Sequence, residues 1–131
     1  MAENKVLVVG ANGQLGQCFR ELKGNEWFFA TKEQVDITDI NSIWDYVETN
    51  DIKMIINCAA YTNVDKAEED YNTAHAINAI GAENLAHVMR DVDGWLFHIS
   101  TDYVFGGEPK FKPLTETDSA HPENFDVKFY I

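Results

Sequence analysis

Three stretches of the 131-residue sequence carry residue types that could do chemistry. The first is GANGQLG, residues 10–16, where Gly10, Gly13 and Gly16 recur at every third position. It follows the β-branched run KVLVV and opens an amphipathic stretch. In that context Gly10 permits a tight turn, Gly13 offers no Cβ to obstruct a pyrophosphate, and Gly16 lets a helix close on a sheet. The helix start would add N–H donors and the positive end of a dipole. A glycine trio also suits a ligand-free turn, so the strand–loop–helix setting carries the inference.

The second stretch is NCAAYTNVDKAEED, residues 57–70. Small Ala59 and Ala60 after a strand allow a flat cofactor to lie on the backbone, although they equally suit packing beneath a helix. Asp65, Lys66, Glu68, Glu69 and Asp70 read as a solvated helix start. The third is HISTDYVFGG, residues 98–107. A hydroxyl among Ser100, Thr101 and Asp102 could bond a substrate carbonyl and stabilise a developing alkoxide; an ordinary Ser/Thr/Asp turn is the plainer alternative.

Dinucleotide sites also place a charged residue about 20 positions after the glycines. Here Lys32 could neutralise a 2′-phosphate, while Glu33 could bind ribose hydroxyls. The cofactor expected is therefore NADP(H) or NAD(H), with the balance toward the phosphorylated form. His75, His87, His98 and His121 lack metal-ligand spacing, so no metal is expected. Cys18 and Cys58 read as small buried hydrophobes rather than a disulfide.

The elements that must position these stretches follow from periodicity. Residues 5–10 form a buried strand, and a helix follows with Leu15, Phe19 and Leu22 inward and Gly24 as C-cap. Glu26 to Ala30 is a second strand. Asp39 caps a helix whose inner face is Ile40, Ile43, Trp44 and Val47. Lys53 to Ala60 is a third strand, and one long helix over 67–92 follows with Ala74, Ile77, Leu85 and Val88 inward. Gly94 to Ser100 is a fourth strand, and the remainder, with all three prolines, is loop-like. Alternating strands and helices predict an α/β fold, a Rossmann-like doubly wound parallel sheet with its ligand at the strands' carboxyl edge.

A net charge of −12 argues against bulk attraction to nucleic acid or an anionic membrane. No run approaches the ~18 apolar residues of a membrane span, and MAENKVLVVG lacks a signal-peptide pattern. A cytoplasmic location is expected. At 45% apolar and 12% aromatic the chain can build a globular core, and 131 residues suit one domain.

GANGQLG, VDITD, IINCAAYTNVDKAEED, INAIGAENLA, HISTDYVFGG and PLTETD occur in this order across residues 5–118. Together they resemble the dTDP-4-dehydrorhamnose reductases, a family of extended-type short-chain dehydrogenase/reductases. The resemblance implies NAD(P)H-dependent reduction of a 4-keto group in a dTDP-sugar during dTDP-L-rhamnose synthesis. It implies Gly13, Gln14 and Leu15 at the pyrophosphate within the Gly10–Gly16 loop, and Asp36 and Ile37 on the adenine side. Ala60, Tyr61, Thr62 and Ile99 would line the cofactor. Thr101 and Asp102 would touch the sugar, with Thr101 as the catalytic hydroxyl.

Such a family also uses a Tyr-x-x-x-Lys pair. Hydride delivery to a ketone leaves an alkoxide that needs a general acid in reach. A lysine one helical turn on supplies the cation that lowers the tyrosine's pKa. Against the pattern P-x-N-x-Y-G-x-[ST]-K, Pro122 and Asn124 align, but Asp126 stands at the tyrosine and Tyr130 at the lysine position. Residues 1–131 are therefore expected to be a truncated amino-terminal NAD(P)-binding part, lacking the substrate-binding part and inactive alone, as a frameshift or interrupted gene would leave it. Apolar edges left bare would favour a homo-oligomer. Two alternatives stay open: a non-catalytic NAD(P)-binding or regulatory interaction module, and another nucleotide-sugar epimerase or dehydratase. The second is disfavoured because STDYVF stands where that branch carries S-S-x-x-V-Y-G.

Overall fold

Val6 to Val9 are all buried, which requires cover on both sides of the strand they form. The computed structural model, which describes residues 3–100, 113 and 115–117, supplies it. Strand β1 (Lys5–Val9) lies between β2 (Phe28–Ala30) and β3 (Ile52–Asn57), and β4 (Trp95–His98) flanks β3. The order is β2-β1-β3-β4 and every pairing is parallel. Registers such as Val9↔Ala30, Val9↔Asn57 and Asn57↔His98 bring the strands' carboxyl ends level along one edge.

Helix α1 (Gln14–Lys23) packs on one face, and α2 (Ile40–Asn50) and α5 (Ala82–Asp91) on the other. Asp39 caps α2 as expected, its side chain accepting the Asn41 N–H at 3.0 Å. Ile43 and Val47 of α2 meet Leu85, Val88 and Met89 of α5 over Leu7, Val9 and Ile55. On the opposite face Val6, Val8 and Ile56 form a smaller buried group, flanked by Phe19, Trp27, Phe29, Met54 and Cys58. This is the doubly wound arrangement that the sequence predicts.

Three local expectations need correction. The single helix over 67–92 is four pieces: α3 (Val64–Glu69), α4 (Tyr71–His75), a π-helical turn (Ala76–Gly81) and α5. Asp70, at φ −115° and ψ 57°, leaves helical geometry and separates α3 from α4. In α1, Leu15 and Leu22 do not face inward; they are 40% and 76% exposed. Gly16 is the point of closest approach, where a Cβ would lie 2.6 Å from the Gly10 carbonyl. The inward stripe therefore runs through Gly16 and Phe19, and Leu15, Cys18 and Leu22 form a parallel stripe turned away. Cys18 is accordingly exposed rather than buried, and Cys58 is half-buried. Gly24 is the C-cap of α1 as expected, in right-handed geometry at φ −55°.

Candidate functional site

A cleft of about 270 Å³ opens where β1, β2 and β3 end. Its floor is the loop after β1. Gly10 sits at φ +70°, a conformation costly for side-chain-bearing residues, and a Cβ there would overlap the backbone nitrogen of Ala59. Only glycine lets the two loops approach so closely. Backbone bonds hold the junction: Ala11 N–H to Ala30 O at 3.2 Å, Cys58 N–H to Val9 O at 3.1 Å, and Gly13 N–H to Gly10 O at 3.1 Å. Gly13 is the N-cap of α1, with no side-chain hydrogen bond at the cap. The first-turn N–H groups are thus not covered by a capping side chain, and the positive end of the helix meets the cleft.

One wall comes from the segment after β2. Thr31, Lys32 and Glu33 line it, then Val35, Asp36, Ile37 and Thr38. The Gln34 side chain accepts the Thr31 N–H at 3.0 Å, and Asp36 Oδ1 accepts from the Thr38 N–H at 3.0 Å and hydroxyl at 2.7 Å. Ser42 Oγ accepts the Asp36 N–H at 3.0 Å, and Asn84 Nδ2 donates to the Ile37 carbonyl at 3.0 Å. The Glu33 carboxyl is held below its ordinary range by its own backbone N–H and then by the Thr31 side chain, which outweigh desolvation, with the Lys32 charge adding least. Lys32 and an ionised Glu33 therefore stand side by side at this wall.

The second wall is Cys58, Ala59 and Ala60, with Ile77 from the π turn. Burial pushes the Cys58 thiol up, so it is neutral near pH 7 and brings no charge. Buried Asn57 accepts the Ala59 N–H at 3.1 Å and bonds His98 Nδ1 at 3.1 Å. Because Asn57 Oδ1 already accepts an N–H, its Nδ2 faces the imidazole, which fixes His98 Nδ1 as an acceptor. Buried Asn78 takes the Tyr61 N–H at 2.8 Å and donates to the Tyr61 carbonyl at 3.1 Å.

Of the site residues predicted from sequence, Gly10, Gly13, Asp36, Ile37 and Ala60 come together at this cleft. Lys32, the candidate for a 2′-phosphate, and Glu33, the candidate for ribose hydroxyls, both line it. Gln14 and Leu15 open α1 beside the floor and are exposed, while Gly16 lies buried beneath it. Tyr61 and Thr62 continue the second wall beyond the lining. Ile99, 44% exposed just past β4, does not line the cleft. Thr101 and Asp102 lie outside the described residues, as does 118–131 with Asp126 and Tyr130. No cluster of three or more His, Cys, Asp or Glu suited to a metal occurs among the described residues.

Sequence reasoning missed Asn12, Thr38, Ile77 as a lining residue, and Asn78. For Asn78 a signal existed. Ala74, Asn78, Gly81, Leu85 and Val88 follow one helical stripe, and a lone amide on an apolar stripe marks a buried polar contact.

Residues 4–128 match the family model described as RmlD substrate binding domain. A dTDP-4-dehydrorhamnose reductase from Mycolicibacterium smegmatis is 42% identical over 123 residues, which are 92% of this chain and 37% of that protein. The crystal structure of a dTDP-4-dehydrorhamnose reductase from Clostridium acetobutylicum superposes with a TM-score of 0.87 at 41% identity, covering 96% of this chain and 46% of that one. The Bacillus anthracis dTDP-4-dehydrorhamnose reductase, solved in complex with NADP, gives 0.89 at 38% identity over 99% of this chain and 47% of its own. The chain thus spans less than half the length of these relatives.

Proposed function

The chain belongs to the RmlD substrate binding domain family, and from that premise we propose that its cleft binds NAD(P) as the cofactor part of a dTDP-4-dehydrorhamnose reductase-like enzyme. The observation that carries the reading is the close packing of Gly10 on Ala59 beside the uncapped start of α1. It leaves the start of α1 turned to the cleft with no capping side chain in the way. Gly13 has space above it, the nearest atom to an added Cβ being the Gly10 carbonyl at 3.4 Å. When bound, the reduced nicotinamide would supply the hydride for a keto group of a dTDP-sugar.

This chain's residues would do the rest. The N–H groups of Gln14 and Leu15 would hold the pyrophosphate. Asp36, Ile37 and Thr38 would border the adenosine half, with Lys32 available to a 2′-phosphate. Ala59 and Ala60 would carry the nicotinamide half, with Tyr61 and Thr62 beyond them and Ile99 nearby. Thr101 and Asp102 would meet the sugar, Thr101 offering its hydroxyl to the reacting carbonyl.

Residues 1–131 contain no Tyr-x-x-x-Lys sequence. The alkoxide formed by hydride delivery then lacks its usual proton donor, so cofactor binding without turnover is expected of these residues by themselves. The same observation favours a second reading, a binding or regulatory module that holds NAD(P) without reduction. Titration with NADPH and NADH, followed by NADPH oxidation in the presence of the dTDP-4-keto sugar, separates the cases. Binding with no oxidation is expected of the chain. Oxidation at the rate of a full-length relative would contradict the inactivity, and absence of binding would contradict the cofactor role.

A further inference from the structure

The start of α1 carries no side-chain cap, so something other than a cap must hold the loop that leads into it. The peptide between Asn12 and Gly13 is bonded at both ends. Its N–H, on Gly13, donates to the Gly10 carbonyl at 3.1 Å, and its carbonyl, on Asn12, accepts from Gln17 Nε2 at 2.8 Å. The Gln17 backbone N–H donates in turn to the carbonyl of the N-cap Gly13 at 3.0 Å, the first bond of the helix. Gln17 therefore grips two successive carbonyls of the loop, one with its backbone and one with its side chain.

Helix formation does not require the side-chain bond. Gln17 is exposed, and a surface amide can equally well bond to water. Asn12 and Gly13 line the cleft and Gln17 does not, so the amide bears on the cleft only through the Asn12 carbonyl. A carbonyl is a sensitive group in such a place. Its oxygen carries partial negative charge and repels phosphate oxygens, whereas the N–H groups of a helix start attract them. A donor bonded to that oxygen offsets part of the charge. Together with the Gly10 bond at the other end, it also keeps the peptide from rotating.

We infer that Gln17 is a positioning residue for the pyrophosphate: its amide locks the Asn12–Gly13 peptide and keeps the Asn12 carbonyl paired where the anion would approach. The inference rests on the NAD(P) reading of the cleft. If the bond only steadied the first turns of α1, its loss would act on stability and on every ligand alike. A role at the pyrophosphate acts on the ligands that carry one.

The test uses the 131-residue chain with Gln17→Met, which keeps the length and helix propensity of the side chain but cannot donate a hydrogen bond. Three ligands are titrated: NADPH and ADP, which carry a pyrophosphate, and adenosine, which does not. Gln17→Met is expected to weaken NADPH and ADP by about three- to tenfold, the worth of one hydrogen bond, and to leave adenosine within about twofold. Because position 17 is exposed, the melting temperature is expected to move by less than about 3 °C. NADPH binding as tight as to wild type would overturn the role. So would an equal loss for adenosine or a large fall in melting temperature, since either makes the bond a structural one. The wild-type chain supplies a second readout. Its Gln17 side-chain amide resonances are expected to shift with NADPH at the same midpoint as the Gly13 N–H, and resonances unmoved at saturating NADPH would overturn the inference. A wild-type chain that binds no NADPH contradicts the cofactor reading itself, whereas binding that is indifferent to Gln17 contradicts only the role assigned here.

Discussion

Gly10 and Lys32 serve the cleft differently, one through geometry and one through charge. Gly10 holds φ +70° with Ala59 against it. Gly10→Ala should cost about 1–3 kcal/mol for the backbone alone, with further loss from the overlap, and should abolish NADPH binding. Urea denaturation and titration check both, and a variant of wild-type stability would contradict the geometry. Lys32 stands at the cleft wall beside a Glu33 carboxylate held in its ionised form. If it meets the 2′-phosphate, Lys32→Ala should weaken NADPH by about tenfold while leaving NADH within about twofold. Equal losses for both cofactors would show Lys32 to be a solvated loop lysine. The two cysteines give a third check. The folded Cys58 thiol is raised by burial, so its thiolate is suppressed until the pH exceeds the ordinary thiol value. Exposed Cys18 should react with iodoacetamide first, as peptide mass spectrometry can show; faster labelling of Cys58 would contradict its burial.

At the scale of elements, much was legible because the signals were local. The run KVLVVG, the Asp39 cap and the Ile43/Val47 face each specify an element without reference to the rest of the chain. Asp39→Ala should accordingly cost about 1 kcal/mol in a thermal or urea melt through loss of the α2 cap. The errors share a cause in tertiary packing. Leu15, Phe19 and Leu22 match a helical period, but the sheet selects the Gly16 stripe because that residue alone allows contact with Gly10. The stretch 67–92 reads as helical throughout, yet Asp70 leaves helical geometry and Ala76–Gly81 is a π turn, departures that no propensity encodes. The glycine loop and the Ala59–Ala60 wall were readable as a cofactor surface; Asn78 was readable as a buried polar residue, but its partner Tyr61 was not, because it lies in another segment.

Over the molecule as a whole the two sheet faces are unequally covered. Twelve buried residues fill the α2/α5 side and three the α1 side, so the described residues leave one face less protected. Along β4 and just beyond it Trp95, Phe97 and Ile99 alternate outward with exposures of 65%, 50% and 44%. Trp95 and Phe97 are in register with Met54 and Ile56, which extends the same apolar face to the edge of the described sheet. An exposed apolar strip of this kind favours association. Sedimentation of the chain should show concentration-dependent self-association that the double change Trp95→Lys, Phe97→Lys suppresses. A monomer at all concentrations, with or without the changes, would contradict this.

The loop after β1, the segment after β2 and the wall after β3 are proposed to form one NAD(P) cleft. Amide chemical shifts of the isotope-labelled chain, followed during NADPH titration, test it most directly. Saturable shifts are expected at residues 10–16, 31–38 and 58–62, with α2 and the outer face of α5 little changed. Shifts scattered elsewhere, or none at saturating NADPH, would contradict it.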